Sequence, residues 1–191
     1  MTAQRYSTVA IILHWVIAIF LVLMVFAGWQ AGDLREALPT GGATLDEVMF
    51  ALNMHKTFGL IVLGLSLLRL GWRLTHKTPA MPETMKPWEK FAAHFTHIGF
   101  YVLMIGMPLL GWATASSSGL PSYLFNDTSI RLIDLPVPTD EGFHNFIAWL
   151  HGRGGWAILI LLGLHAGAAL KHHIIDKDDV LSRMLPFLRR S

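Results

Sequence analysis

Two histidines, His151 and His165, lie near the two ends of one apolar stretch, WLHGRGGWAILILLGLHAGAALKHH. Imidazole is the commonest side-chain ligand for metal ions in proteins. Fourteen residues of α-helix complete about four turns and rise about 21 Å, so both rings would leave the same helix face at different heights. The hydrocarbon core of a membrane is about 30 Å thick. A single helix would therefore present one metal ligand near each membrane surface.

His14 and His55 supply partners for these two rings from other apolar stretches. If both termini lie in the cytoplasm, as the positive charges predict, His14 lies about 9 Å inside the inner (cytoplasmic) edge of the membrane, at the level of His165. His55 begins its stretch near the outer edge, at the level of His151. Two imidazoles at one depth on facing helices are suited to hold a haem iron from both sides. The spacing therefore predicts two bis-histidine haem sites, one above the other.

Three further histidines compete for these roles. His94 and His97 begin the third apolar stretch at the inner level, so either could replace His14 as a ligand or line a quinone or proton site. His144 competes with His151, but its greater separation from the inner level, roughly 31 Å, exceeds the distance expected between two haems in one bilayer. The histidines predicted to lie on the surface are His76, His172 and His173.

Four apolar stretches must position these side chains. The chain has 191 residues, of which 53% are hydrophobic and only 15% are charged, as expected for a protein in lipid. Each stretch approaches the roughly 20 residues of a spanning helix, and an open strand in lipid would leave backbone groups unpaired. We therefore predict one all-α domain, residues 1–191, built as a transmembrane four-helix bundle. The predicted helices cover roughly residues 8–29, 52–72, 94–115 and 146–173.

The distribution of positive charge predicts the orientation of the bundle. Eleven of the fifteen Lys and Arg residues flank the N-terminus, the second connection and the C-terminal tail. By the positive-inside rule, this bias places both termini in the cytoplasm. The eleven residues are Arg5, Arg69, Arg73, Lys77, Lys86, Lys90, Lys171, Lys177, Arg183, Arg189 and Arg190.

The composition also excludes several classes of site. The chain has no cysteine, which excludes disulfides, thiolate metal sites, cysteine-ligated iron–sulfur clusters and covalent c-type haem. With ten histidines, any metal chemistry is expected to be imidazole chemistry. The sequence shows no basic stripe or fold motif typical of nucleic-acid binding.

Three cations near the predicted haem levels are candidate binding residues. Arg69 follows His55 by fourteen residues and therefore lies on the same helix face at the inner level. It could pair with propionates of the inner haem, or serve as a snorkelling anchor. Lys56 and Arg153 flank the outer histidines, where they could bind outer propionates or steer a small anion.

At these residues the chain resembles the bacterial cytochrome b561 family, four-helix di-haem b proteins of the inner membrane. The matching segments are ILHW, NMHKTFG, RLGWR, WLH and GLHAGAALKHH, together with DKDDVLSRMLP near the C-terminus. The resemblance covers nearly the whole chain and implies a multi-pass inner-membrane protein with two b haems. It implies that the axial ligands of the haem irons are His14, His55, His151 and His165.

The resemblance also implies the kind of activity. Family members transfer electrons between a donor and the quinone pool. Some are similar to superoxide oxidases, which pass an electron from periplasmic superoxide to ubiquinone, and others are anchor subunits that take electrons from a dehydrogenase or hydrogenase. We expect an oxidoreductase-type electron carrier in contact with lipid and a ubiquinone-type quinone, and the spacing does not choose between these donors. A haem-free, histidine-lined ion or proton carrier is the alternative that the residues leave open.

Overall fold

A computed structural model describes residues 5–188 and shows four long α-helices. All four are long and apolar enough to cross a membrane, so the prediction of an all-α bundle of four such helices is confirmed. Within the described range the only β pairing is a single bridge between Tyr123 and Arg131. Arg189 and Arg190, counted above among the cytoplasmic charges, lie outside the described residues. The helices are α1 (Thr8–Ala37), α2 (Leu45–Thr75), α3 (Pro87–Ser117) and α4 (Glu141–Lys171).

The helices extend beyond the apolar stretches from which they were predicted. At the start of α2 the Thr44 hydroxyl accepts a hydrogen bond from the Glu47 amide at 3.3 Å, and the Glu47 carboxylate accepts one from the Thr44 amide at 2.8 Å. At the start of α4 the Asp140 carboxylate accepts from the amide of Phe143 at 2.9 Å. Such caps stabilise a helix end with polar residues, which a hydropathy pattern assigns to loops. The extra turns therefore lie at the ends of the bundle.

Consecutive helices pack side by side, and α1 also contacts α4, which closes the bundle. We call the end that carries both chain ends the inner end, after the predicted orientation, and the opposite end the outer end. The buried core is an aliphatic layer that includes Ile158, seven residues from each of the two α4 histidines. The core residues are Ile17, Leu21 and Val25 of α1, Val62 of α2, Met104 of α3 and Ile158 of α4.

The long loop between α3 and α4 is fixed to the outer half of α2. Asn53, only 1% exposed, accepts from the Tyr123 amide at 3.2 Å and donates to the Asn126 side chain at 2.8 Å. The Thr57 hydroxyl accepts from the Phe125 amide at 2.8 Å. Phe125 and Asn126 have φ values of 52° and 57°, in the left-handed region that non-glycine residues rarely adopt. These hydrogen bonds offset that conformational cost and hold the loop over the outer end.

The C-terminal tail folds back across the inner end. Lys177 adopts a left-handed conformation with φ 58°, and the indole nitrogen of Trp15 donates to the carbonyl of Met184 at 3.0 Å. His172 is consequently only 7% exposed, and its Nδ1 donates to the Asp178 carboxylate at 2.7 Å. The prediction that His172 is a surface residue is therefore wrong, because the folded tail covers it.

Candidate functional site

The structure brings together His55 of α2 and His151 of α4 near the outer end, and we call these two residues the outer pair. Their ring centroids are 6.0 Å apart, with an interplanar angle of 86°. An imidazole nitrogen lies about 2 Å from a metal that it binds, so two rings that bind one metal from opposite sides have centroids about 6 Å apart. The outer pair therefore has the spacing of a bis-histidine metal site.

The buried nitrogens of the outer pair support the presence of a non-protein ligand. The Nδ1 atoms of His55 and His151 are both buried, and neither makes a hydrogen bond of acceptable geometry to any residue in the range 5–188. Buried polar groups are almost always hydrogen-bonded in folded proteins. Each ring thus carries a buried nitrogen that the described residues leave without a hydrogen-bond partner, which fits a site for a non-protein ligand.

Two glycines lie against the outer pair and leave room for its rings. A Cβ atom built on Gly28 of α1 would lie 2.9 Å from Cε1 of His55, and one built on Gly111 of α3 would lie 2.8 Å from Cε1 of His151. Real Cβ atoms essentially never approach other atoms this closely, so only glycine fits both positions without a shift. Spacing along the sequence did not predict these glycines, because each belongs to a different helix from the ring that it contacts.

The two cations predicted near the outer pair occupy different environments. Lys56 is partly buried, and its ammonium donates to the Ser122 hydroxyl at 2.8 Å. Arg153 is exposed, and its guanidinium lies 5.9 Å from the centroid of the Trp149 ring. Within the described chain, Lys56 makes no ion pair with a carboxylate. Among the described residues Arg153 likewise has no carboxylate partner, so both cations can attract an anion toward the outer pair.

His14 of α1 and His165 of α4 form a second pair near the inner end, which we call the inner pair. Their ring centroids are 6.1 Å apart, with an interplanar angle of 61°. Arg69 of α2 donates to Nδ1 of His14 at 3.3 Å and to the carbonyl of Ala10 at 2.9 Å. The inner pair thus has the same spacing as the outer pair, with one guanidinium in contact with it.

His97 of α3 is a close neighbour of the inner pair. Its ring centroid is 5.7 Å from that of His165, comparable with the separation between His165 and His14. Phe100 lies one turn further along α3, and its ring centroid is 5.4 Å from that of His165. The inner level therefore contains three imidazoles, and the distances between rings leave His97 as a competitor for the role of His14.

The other two competing histidines are directed elsewhere. His94 is exposed, and its Nδ1 donates to the carbonyl of Lys90, in its own helix, at 2.8 Å. His144 of α4 has its Nδ1 2.8 Å from the hydroxyl of Ser117, at the end of α3. Each has a hydrogen-bond partner outside the two pairs.

The ligand chemistry of both pairs fits a b-type haem. Haem iron in electron-transfer proteins takes two axial protein ligands, and the chain has no cysteine that could attach the porphyrin covalently. Each pair supplies two imidazoles on different helices at one level. The fourteen-residue spacing along α4 separates the levels by about 21 Å.

Comparisons with known proteins agree with this interpretation. The model of the prokaryotic cytochrome b561 family matches residues 5–187. The Escherichia coli (strain K12) protein Cytochrome b561 homolog 1 is 31% identical over 185 residues, which cover 96% of this chain and 98% of that protein. Cytochrome b561 homolog 2 of the same organism is 28% identical over 186 residues, which cover 96% and 93%. The Probable superoxide oxidase CybB of Yersinia pestis is 27% identical over 190 residues, which cover 96% and 97%.

The family match spans nearly the entire chain, including both histidine pairs and all four helices. Family membership implies b-type haem binding and a role in membrane electron transfer. The four apolar helices agree with a multi-pass bacterial membrane protein. The chain therefore belongs to the prokaryotic cytochrome b561 family.

Proposed function

We propose that this protein carries electrons across the bacterial inner membrane, by way of two b-type haems, from a periplasmic donor to the quinone pool. The observation that supports the proposal is the pair of ring separations, 6.0 Å at the outer level and 6.1 Å at the inner level. His55 and His151 would hold the outer haem, and His14 and His165 the inner haem. When bound, haem supplies the reversible one-electron chemistry of iron.

The surrounding residues suit electron transfer better than dioxygen chemistry. Two imidazoles at each level would fill both axial positions of an iron, which leaves no open position for dioxygen. The core layer, with Val62 and Met104 only 2% and 5% exposed, excludes water between the levels. Arg69, in contact with His14, places positive charge at the inner level. That charge would stabilise the reduced state of an inner haem.

Superoxide is the donor class that Lys56 favours. One relative bears the name Probable superoxide oxidase. In this chain Lys56 directly follows His55, and its ammonium has a neutral hydroxyl as its hydrogen-bond partner, so it attracts small anions toward the outer pair. Oxidation of two superoxide anions to dioxygen releases two electrons, which with two protons reduce one quinone to the quinol. On this basis the protein acts as a superoxide:quinone oxidoreductase.

The membrane-anchor role remains the second candidate. In that role a docked dehydrogenase or hydrogenase would supply the electrons, and it would be recovered with the protein after mild solubilisation. Family membership favours haem-b electron transfer over the haem-free ion or proton carrier.

The first test is the absorption spectrum of protein purified from haem-replete cells. We expect a b-type α-band that appears on dithionite reduction and a haem-to-protein ratio of about two. A colourless preparation would contradict the proposal.

The second test concerns the donor. Oxidised protein and quinone are mixed rapidly with superoxide. Haem reduction no faster than spontaneous dismutation would exclude superoxide without affecting the electron-transfer proposal.

The glycine contacts provide a test of the outer site that leaves every histidine in place. In Gly111→Ala the new methyl group would lie 2.8 Å from Cε1 of His151, so that the ring must move. We expect the haem-to-protein ratio to fall from about two toward about one. The matched control is Gly106→Ala on the same helix, where a Cβ would meet no atom within 4 Å. Full haem content in both variants would show that a methyl group at position 111 does not prevent His151 from holding the outer haem.

A further inference from the structure

A pocket of about 270 Å³ lies between the beginning of α1 and the end of α2, at the inner end of the bundle. Four Arg and Lys side chains line it, and no acidic residue of the described chain does. None of the four takes part in an ion pair within residues 5–188. The pocket therefore concentrates positive charge without a protein counter-ion. The four residues are Arg5, Arg69, Arg73 and Lys77.

The beginning of α1 adds to the preference of the pocket for an anion. The first turn of α1, which begins after Ser7, contains no acidic residue. The positive end of the α1 dipole is thus not offset locally. An anion in the pocket would therefore meet Arg5, Arg73 and Lys77 together with the positive end of this helix dipole.

The walls of the pocket place it at the membrane boundary. The indole nitrogen of Trp72 donates to the Ser7 hydroxyl at 2.9 Å, and the ring of His76 stacks on that indole at 3.7 Å. Tryptophan is enriched at the boundary between hydrocarbon and headgroups. Ala10 and Leu13 line the pocket one to two turns further into the membrane. The pocket thus has a charged entrance and an apolar side. These match the charged headgroup and the apolar acyl chains of a phospholipid.

The direction of Arg69 distinguishes this pocket from the inner haem site. Arg69 donates to His14 and to the carbonyl of Ala10, so its guanidinium is directed toward the inner pair and already hydrogen-bonded there. Arg73 lies one turn nearer the inner end of α2, and Lys77 follows the end of that helix at Thr75. These two cations therefore lie at the level of lipid phosphates.

We propose that this pocket binds the phosphate of an anionic phospholipid headgroup. Arg5, Arg73 and Lys77 contact the phosphate oxygens. Guanidinium groups bind phosphate oxygens in pairs, and basic pockets between membrane helices on the cytoplasmic side bind anionic lipid headgroups. The site is additional to electron transfer and does not require the haems.

The test uses the full-length, haem-loaded protein in detergent. Its thermal unfolding is followed by tryptophan fluorescence while phosphatidylglycerol, phosphatidylcholine or inorganic phosphate is added. We expect a saturable increase in the unfolding temperature with phosphatidylglycerol only. The double variant Arg73→Gln, Lys77→Gln should weaken the apparent affinity for phosphatidylglycerol about tenfold or more. The control Lys90→Gln, Lys177→Gln removes two charges from the same end outside the pocket and should leave the affinity unchanged.

Three results would overturn the proposal. Equal weakening in both double variants would mean that diffuse surface charge attracts the lipid. Stabilisation by inorganic phosphate as strong as that by phosphatidylglycerol would identify a site for free anions. Loss of haem absorbance from the pocket variant in lipid-free detergent would assign the pocket to the inner haem. Haem absorbance is recorded in the same samples, so failure of the electron-transfer proposal would appear separately, as a missing spectrum with the lipid response intact.

Discussion

His55→Ala and His151→Ala should each lose the outer haem, and we expect the haem-to-protein ratio to fall from about two to about one. Each substitution removes one of two rings whose centroids are 6.0 Å apart, and the single remaining imidazole cannot hold the iron from both sides. The helices adjacent to these rings contribute Gly28 and Gly111, which carry no side chain that could replace the lost ligand. Haem extraction and the reduced-minus-oxidised spectrum of the purified variants measure this effect.

His144→Ala is the matched control for the outer site. His144 lies on α4 with His151, but its Nδ1 is 2.8 Å from the Ser117 hydroxyl rather than directed toward His55. This variant should retain both haems. Loss of a haem from His144→Ala with full content in His151→Ala would transfer the ligand role to His144. Partial restoration of the outer spectrum of His151→Ala by added imidazole would show that the vacated ring position, and not misfolding, caused the loss.

We expect His14→Ala and His165→Ala to lose the inner haem and with it the proposed transfer of electrons to quinone. The remaining outer haem should still be reduced by the periplasmic donor, because the outer pair lies about 21 Å away along α4. Reduction of a quinone added to the membrane should fall to the rate without protein. The haem-to-protein ratio, followed together with quinone reduction, distinguishes this from a general loss of folding.

His97→Ala decides between the two possible partners of His165. The ring of His97 lies 5.7 Å from that of His165, so distance alone does not exclude it as a ligand. We expect His97→Ala to retain both haems, because the resemblance of the ILHW segment to the family assigns the ligand role to His14. If His97→Ala removed a haem and His14→Ala did not, the inner pair would consist of His97 and His165.

The bundle and the levels of its histidines could be predicted from the sequence. The length of each apolar stretch and the rise of about 1.5 Å per residue are local properties, so they predict helix number and the depth of each side chain without knowledge of the packing. That information sufficed to group His14 with His165 and His55 with His151. The structure places the rings of both groups about 6 Å apart, at 6.1 and 6.0 Å.

Helix ends were less predictable, because polar caps rather than apolar length determine them. The helix α2 begins at Leu45, where Thr44 and Glu47 form reciprocal hydrogen bonds, although its apolar stretch begins about two turns later. His172 was predicted to be exposed, but the C-terminal tail returns across it. Both differences arise where polar contacts, rather than hydrophobicity, select the conformation.

By itself, the sequence determined the number of helices, their apolar lengths and the level of every histidine, because these depend only on distance along a helix. The rotation of each helix about its axis was decided by the tertiary structure alone, because helices that are apolar on all sides carry no strong pattern that selects a face. That rotation brings Gly111 against His151 and Arg69 against His14. It also brings His97 beside His165, a contact between two helices that no spacing within one helix could reveal.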